Sequence, residues 1–165
     1  MKLHSSRQTL GFVAIISFAA IGFALFTQYA LGMRPCPWCS LQRLICVAIV
    51  IAAAPGAILV QRWSHVVSSL LVGILALAGM AAALWQHFVA AHTVSCELTL
   101  ADQIISGLGM AAAFPKVFAI KASCSDASVT LLGIPYALCT FALFLLLGAL
   151  AVFVLYRQWT ARIQI

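Results

Sequence analysis

The sequence predicts an all-α, polytopic membrane protein: a bundle of four transmembrane helices with a short interfacial helix in the second outer loop. Three observations predict it. Of 165 residues, 65% are hydrophobic and 7% are charged, a balance foreign to water-soluble domains. Runs without Asp, Glu, Lys or Arg cover residues 8–33, 44–61, 63–96 and 127–156, each at or near the roughly 20 residues that cross a bilayer as helix. One such run fits a buried helix of a soluble protein; four do not. The charges are also sorted. Lys2, Arg7, Arg62, Arg157 and Arg162 flank the runs on one side with no acid among them, whereas Arg34, Arg43, Lys116 and Lys121 share the other side with Glu97, Asp102 and Asp126. An excess of Lys and Arg marks the cytoplasmic side, so both termini and the second connection are expected there. The net charge of +6 is thus a matter of membrane orientation and not a nucleic-acid surface.

Residues 1–165 are read as a single integral membrane domain. The first span is expected over residues 9–31. Lys2 and Arg7 before an apolar stretch resemble a signal peptide, but the stretch far exceeds a signal core of ~7–15 residues, so it is read as an uncleaved helix. Its Ala14, Ser17, Ala20 and Ala24 permit a close helix neighbour. Gly32 and Pro35 end it, and residues 32–38 form a very short outer loop. The second span is expected over 39–59, where Pro55-Gly56 would loosen the last turns. The third, over 65–91, is longer than a bilayer requires and places Trp85 and His87 near its outer end. Trp85 suits an interfacial anchor. Residues 92–130 are the one long outer loop. Ile104, Ile105, Leu108, Ala111, Ala112 and Phe118 give it an apolar helical face interrupted by Gly107, Gly109 and Pro115, suited to lying on the membrane surface. The fourth span is expected over 131–156, closed by Arg157.

The chemistry centres on Cys36-Pro37-Trp38-Cys39. A C-x-x-C pair serves redox chemistry, metal binding or haem attachment. Haem attachment requires a histidine next, and residue 40 is serine; a zinc site of paired C-x-x-C motifs is not matched by the widely spaced Cys96 and Cys124. Four cysteines, Cys36, Cys39, Cys96 and Cys124, fall in or beside the outer loops, where disulfides persist. Cys46 and Cys139 lie inside spans and read as small buried hydrophobes. A helix N-terminus favours a thiolate, and Cys39, inside the first turn, is expected to gain more of this than Cys36. Arg43, four residues on, lies on the same helical face. It either snorkels to lipid phosphates or serves a thiolate or an electron-rich cofactor oxygen. Two uses of the cysteines stay open on the residues alone: two disulfides bracing a non-enzymatic scaffold, or a relay by thiol–disulfide exchange ending on a lipid-soluble acceptor such as a quinone.

The segment Pro35-Cys36-Pro37-Trp38-Cys39-Ser40-Leu41-Gln42-Arg43, between two spans, resembles the first outer loop of the disulfide bond formation protein B family. Four spans, a second loop with Cys96 and Cys124, and Phe114-Pro115 between those cysteines extend the resemblance over nearly the whole chain. The resemblance implies a protein-dithiol:quinone oxidoreductase of the bacterial inner membrane that reoxidises a periplasmic, thioredoxin-like oxidase of the DsbA type. It pairs Cys96 with Cys124 and Cys36 with Cys39. Cys96 is then the position attacked by the partner, Cys124 passes reducing equivalents to Cys36, and Cys39 faces the quinone. Arg43 matches the arginine that helps to hold the quinone and the thiolate. His87 resembles a histidine near the quinone, although the bare residue reads equally as an interfacial histidine; His92 is a weaker match. Ubiquinone is the expected cofactor, with menaquinone as the alternative, and no metal is implied. Residues 125–130 lack the tryptophan often found after the outer cysteine of the family. The related vitamin K epoxide reductase homologues carry C-x-x-C late in the bundle; here it comes early.

Overall fold

A computed structural model describes residues 2–90, 99–118, 120, 122, 130–131 and 134–163. Four long helices account for most of it: α1 (Lys2–Ala30), α2 (Pro37–Ile58), α3 (Arg62–Phe88) and α7 (Tyr136–Ile163). All four are long and apolar enough to span a membrane. Between α3 and α7 lie three short helices, α4 (Leu100–Gly107), α5 (Met110–Ala113) and α6 (Pro115–Phe118), and an antiparallel pair of two-residue strands, β1 (Thr130–Leu131) and β2 (Ile134–Pro135). The outer-loop helix is therefore broken at Gly107, Gly109 and Pro115, where the sequence places its interruptions. Gly109, at φ 65°, occupies the left-handed region that glycine enters without steric cost.

Helix ends differ from the hydropathy boundaries for local reasons. α1 begins near Lys2 rather than at residue 9, because polar residues carry the helix beyond the apolar run. α3 likewise starts at Arg62. α7 starts at Tyr136 instead of 131, since Pro135 drives the residue before it out of the helical region and Ile134 pairs with Leu131 as strand. Pro55 does not end α2, which runs on to Ile58.

The described chain forms two compact units. The first holds residues up to Ala20, Ile45–Ala78 and residues from Leu143. Its core is striped at alternating three- and four-residue steps: Ser6, Leu10, Val13 and Ser17 on α1, and Phe144, Leu147, Ala151, Val154 and Gln158 on α7, all buried. This is the seam of helices packed nearly parallel or antiparallel. The opposite faces carry large apolar side chains in the open, including Phe12, Ile15, Phe18, Leu77 and Val152. Small serines on the buried stripe and large apolar side chains in the open suit a solvent of lipid, where apolar surface needs no burial and small residues let helices approach closely. At one end the helices are cross-tied: Arg7 Nε donates to the Ala57 carbonyl (3.2 Å), Arg62 Nη2 to the Gln158 carbonyl (2.5 Å), Gln158 Nε2 to Ser6 Oγ (3.0 Å), and Arg157 to Ser5 Oγ.

Within this unit Gly56 of α2 lies directly against Leu10 of α1 and Ser68 of α3. A Cβ there would run into Leu10 Cδ1 and lie 2.9 Å from Ser68 Cβ and Oγ. Gly56→Val is accordingly expected to destabilise the purified protein by about 1–3 kcal/mol, the usual cost of overpacking. Thermal unfolding in detergent measures it, and an unchanged midpoint would contradict so tight a contact.

The second unit comprises Ile21–Leu44 and the described part of Gly79–Ala142. α1 leaves its helix at Gly32 (φ 66°), and the Met33 N–H returns to the Thr27 carbonyl (3.3 Å). α4 opens with a reciprocal cap. Asp102 N–H donates to Thr99 Oγ1 (3.3 Å) and Thr99 N–H to Asp102 Oδ2 (3.1 Å). It buries Ala101 and Ile105 and exposes Leu100, as Leu108 and Phe114 are exposed after it, a distribution suited to a membrane surface.

Candidate functional site

The site is built on the first turn of α2. Cys36 caps it: its carbonyl accepts the Ser40 N–H (3.0 Å), and its sulfur accepts the Cys39 N–H (3.2 Å), where a serine or aspartate oxygen usually stands. Pro37 follows at the first helical position, which needs no N–H donor. The helix thus begins two residues before Cys39. The two sulfurs lie 2.6 Å apart, so closing a disulfide requires little movement. Cys36 is fully buried and Cys39 half-buried, which leaves Cys39 the more accessible of the pair.

Arg43, one turn further along α2, is 8% exposed. Its Nη1 donates to Gln28 Oε1 (2.6 Å) and to the Val117 carbonyl (2.8 Å), and its Nη2 to the Ala24 carbonyl (3.1 Å). The guanidinium is therefore held by α1 and α6 and does not snorkel to lipid. All three acceptors are neutral, so the charge is left for another partner. Gln28 Nε2 donates to the Lys116 carbonyl (3.4 Å), as does Tyr29 Oη (2.8 Å). Through these bonds the short α6 is fastened to the helix pair that carries the cysteines.

On the other side stands Gln86 of α3. Its Nε2 lies 3.3 Å from Cys39 Sγ and 3.6 Å from Cys36 Sγ, while its Oε1 accepts Gln42 Nε2 (2.9 Å). Trp38 and Trp85 pack with ring centroids 6.3 Å apart. Among the described residues, buried Trp38 Nε1, Ser40 Oγ and Gln42 Oε1 have no hydrogen-bond partner.

The structure brings Cys36, Cys39 and Arg43 into one end of this unit. His87 is half-buried with its ring edge-on to Phe88 (4.8 Å), and it is the neighbouring Gln86 that reaches the sulfurs. Cys96, Cys124 and His92 lie outside the described residues. Gln28, Gln42 and Gln86 are the site residues that motif reading misses. Their signal was available: amides inside apolar spans are costly unless they find partners.

Four helices long and apolar enough to cross a membrane, with a buried arginine one turn beyond a C-x-x-C pair, fit the class of multi-pass membrane proteins of thiol–disulfide chemistry. The model of the family described as disulfide bond formation protein DsbB matches residues 6–154. The chain belongs to that family, whose members are membrane proteins acting in disulfide bond formation. It is 35% identical over 151 residues to disulfide bond formation protein B 1 of Pseudomonas savastanoi pv. phaseolicola, covering 91% of this chain and 89% of that protein. To disulfide bond formation protein B of Pseudomonas syringae pv. tomato it is 35% identical, over 90% of this chain and 88% of the relative. The protein of the same name from Albidiferax ferrireducens is 26% identical over 98% of this chain and 94% of its own length. No solved structure matches.

Proposed function

We propose that the protein is a protein-dithiol:quinone oxidoreductase that reoxidises a periplasmic, thioredoxin-like oxidase of the DsbA type and delivers the electrons to a membrane quinone. Ubiquinone is the expected acceptor and menaquinone the alternative. Residues 1–165 act as one integral domain of a bacterial inner membrane, with both termini cytoplasmic. The observation that carries the reading is the Cys36/Cys39 pair, its sulfurs 2.6 Å apart with one buried and one accessible, beside a buried arginine that has only neutral acceptors.

In this reading a partner thiolate attacks Cys96 of a Cys96–Cys124 disulfide, forming a mixed disulfide and releasing Cys124 as thiolate. Cys124 attacks Cys36; the Cys36–Cys39 bond breaks, a Cys124–Cys36 bond forms and Cys39 leaves as thiolate. The partner's second thiol then displaces Cys96 and closes the partner's own disulfide. Two electrons and two protons have left the partner. Cys96 then displaces Cys36 from Cys124 and closes the Cys96–Cys124 disulfide again, which leaves Cys36 and Cys39 as a reduced pair whose two electrons and two protons a bound quinone would take as their disulfide closes.

The donor set suits a quinone head. Arg43 retains its Nε and one Nη2 hydrogen for a carbonyl oxygen, Trp38 Nε1 is a buried donor without a partner among the described residues, and the Trp38/Trp85 pair is an apolar surface for a ring. His87 is assigned to the same set from the outer end of α3. A bound quinone supplies a two-electron, two-proton acceptor.

The test mixes the purified protein, a reduced thioredoxin-like dithiol partner and ubiquinone. Loss of quinone absorbance matched one-for-one by partner disulfide is expected. Absence of electron transfer across a panel of quinones and partners would instead support the scaffold.

A further inference from the structure

We infer that Gln86, oriented by Gln42, is a further catalytic residue, a fixed hydrogen-bond donor to the Cys36/Cys39 sulfurs that makes the pair a stronger oxidant. The inference rests on the redox reading of that pair. It does not depend on the identity of the quinone or of the protein partner.

The geometry is specific. Gln86 lies on α3, is 6% exposed, and is the described side chain from another helix that reaches both sulfurs (3.3 and 3.6 Å). Its amide can face the sulfurs in two ways, with nitrogen or with oxygen. Gln42 Nε2 donates to its Oε1 (2.9 Å), and in this arrangement the nitrogen is the atom presented to the sulfurs. Gln42 is held on α2, one residue before Arg43, and both amides are buried, where a hydrogen bond is strong and a misdirected one costly. A reduced sulfur, above all a thiolate, accepts a hydrogen bond better than a disulfide sulfur does. A donor fixed on the pair therefore favours its reduced form and raises its reduction potential. Arg43 contributes charge from the next turn of α2, whereas Gln86 contributes direction from α3.

The test equilibrates the full-length protein in detergent with graded ratios of reduced to oxidised dithiothreitol, without quinone or protein partner. Each Cys36–Cys39 disulfide reduced takes up two electrons and two protons from dithiothreitol, whose two thiols close into its cyclic disulfide. Differential alkylation and peptide mass spectrometry then read the two cysteines. Gln86→Leu is expected to shift the equilibrium about tenfold toward the disulfide, equivalent to ~30 mV. Gln86→Met keeps the length of the side chain and removes the donor without adding a charge, so it is expected to shift the equilibrium about as far in the same direction. Gln42→Ala, which frees the Gln86 amide to rotate, is expected to give a smaller shift of the same sign, about threefold. If Gln86 were only a packing residue, the uncharged, similarly sized Gln86→Met would leave the equilibrium where it is, and that result overturns the inference even if Gln86→Leu fails to fold. A wild-type pair that forms no disulfide at any ratio overturns the redox reading and this inference with it. A wild-type pair that titrates normally, with Gln86 variants unchanged, overturns the inference alone.

Discussion

Cys39→Ser is expected to reduce quinone reduction at least ~10³-fold, a loss of about 4 kcal/mol or more in transition-state stabilisation. Cys39 is the more accessible sulfur of the pair, and in the proposed relay it is the one released as thiolate when Cys36 is attacked. A serine hydroxyl at that position neither closes a disulfide nor leaves as an anion at neutral pH. The partner should still exchange with the outer cysteines, because Cys96 and Cys124 are untouched. Stopped-flow recording of quinone absorbance, with acid-trapped partner thiols counted in parallel, separates the two events. Turnover at the wild-type rate by this variant would remove Cys39 from the relay.

Arg43→Met should act on the quinone side and hardly at all on exchange with the partner. We expect the quinone KM to rise on the order of 10–100-fold, the size of one lost hydrogen bond from a charged donor, about 1.5–3 kcal/mol. The substitution also strips the donor from Gln28 Oε1 and from the Ala24 and Val117 carbonyls, so the variant should melt earlier as well. Arg43→Lys keeps the charge but cannot serve three divergent acceptors at once, and should fall between Met and wild type. An unchanged dependence of rate on quinone concentration in Arg43→Met would assign the arginine to structure alone.

Much of this was legible in the chain before any coordinates. Lipid accepts so few side-chain types that four charge-free runs mark four spans, and the interrupted helix of the outer loop is written in Gly107, Gly109 and Pro115. Hydropathy reports membrane thickness and not helix length, however, which is why α1 reaches back to Lys2 and α3 to Arg62. The start of α7 depended on Pro135 and a two-residue strand pair, features of the backbone that an apolar count overlooks. In the site, the C-x-x-C spacing and Arg43 stand out because few chemistries use them. Gln28, Gln42 and Gln86 carry no motif, and their meaning comes from partners 15, 44 and 47 positions away. The capping role of Cys36 was hidden for the opposite reason. A sulfur is an unusual cap, so a cysteine at a helix start is read for its chemistry and not for the bond it closes.

That cap joins chemistry to backbone. In the proposed relay the atom that closes the first turn of α2 is itself a reacting atom, so whenever Cys36 changes its bonding partner the stability of that turn changes with it. Under that relay the opening turn of α2 behaves as a hinge latched by sulfur valence, tightening and easing once in every catalytic round.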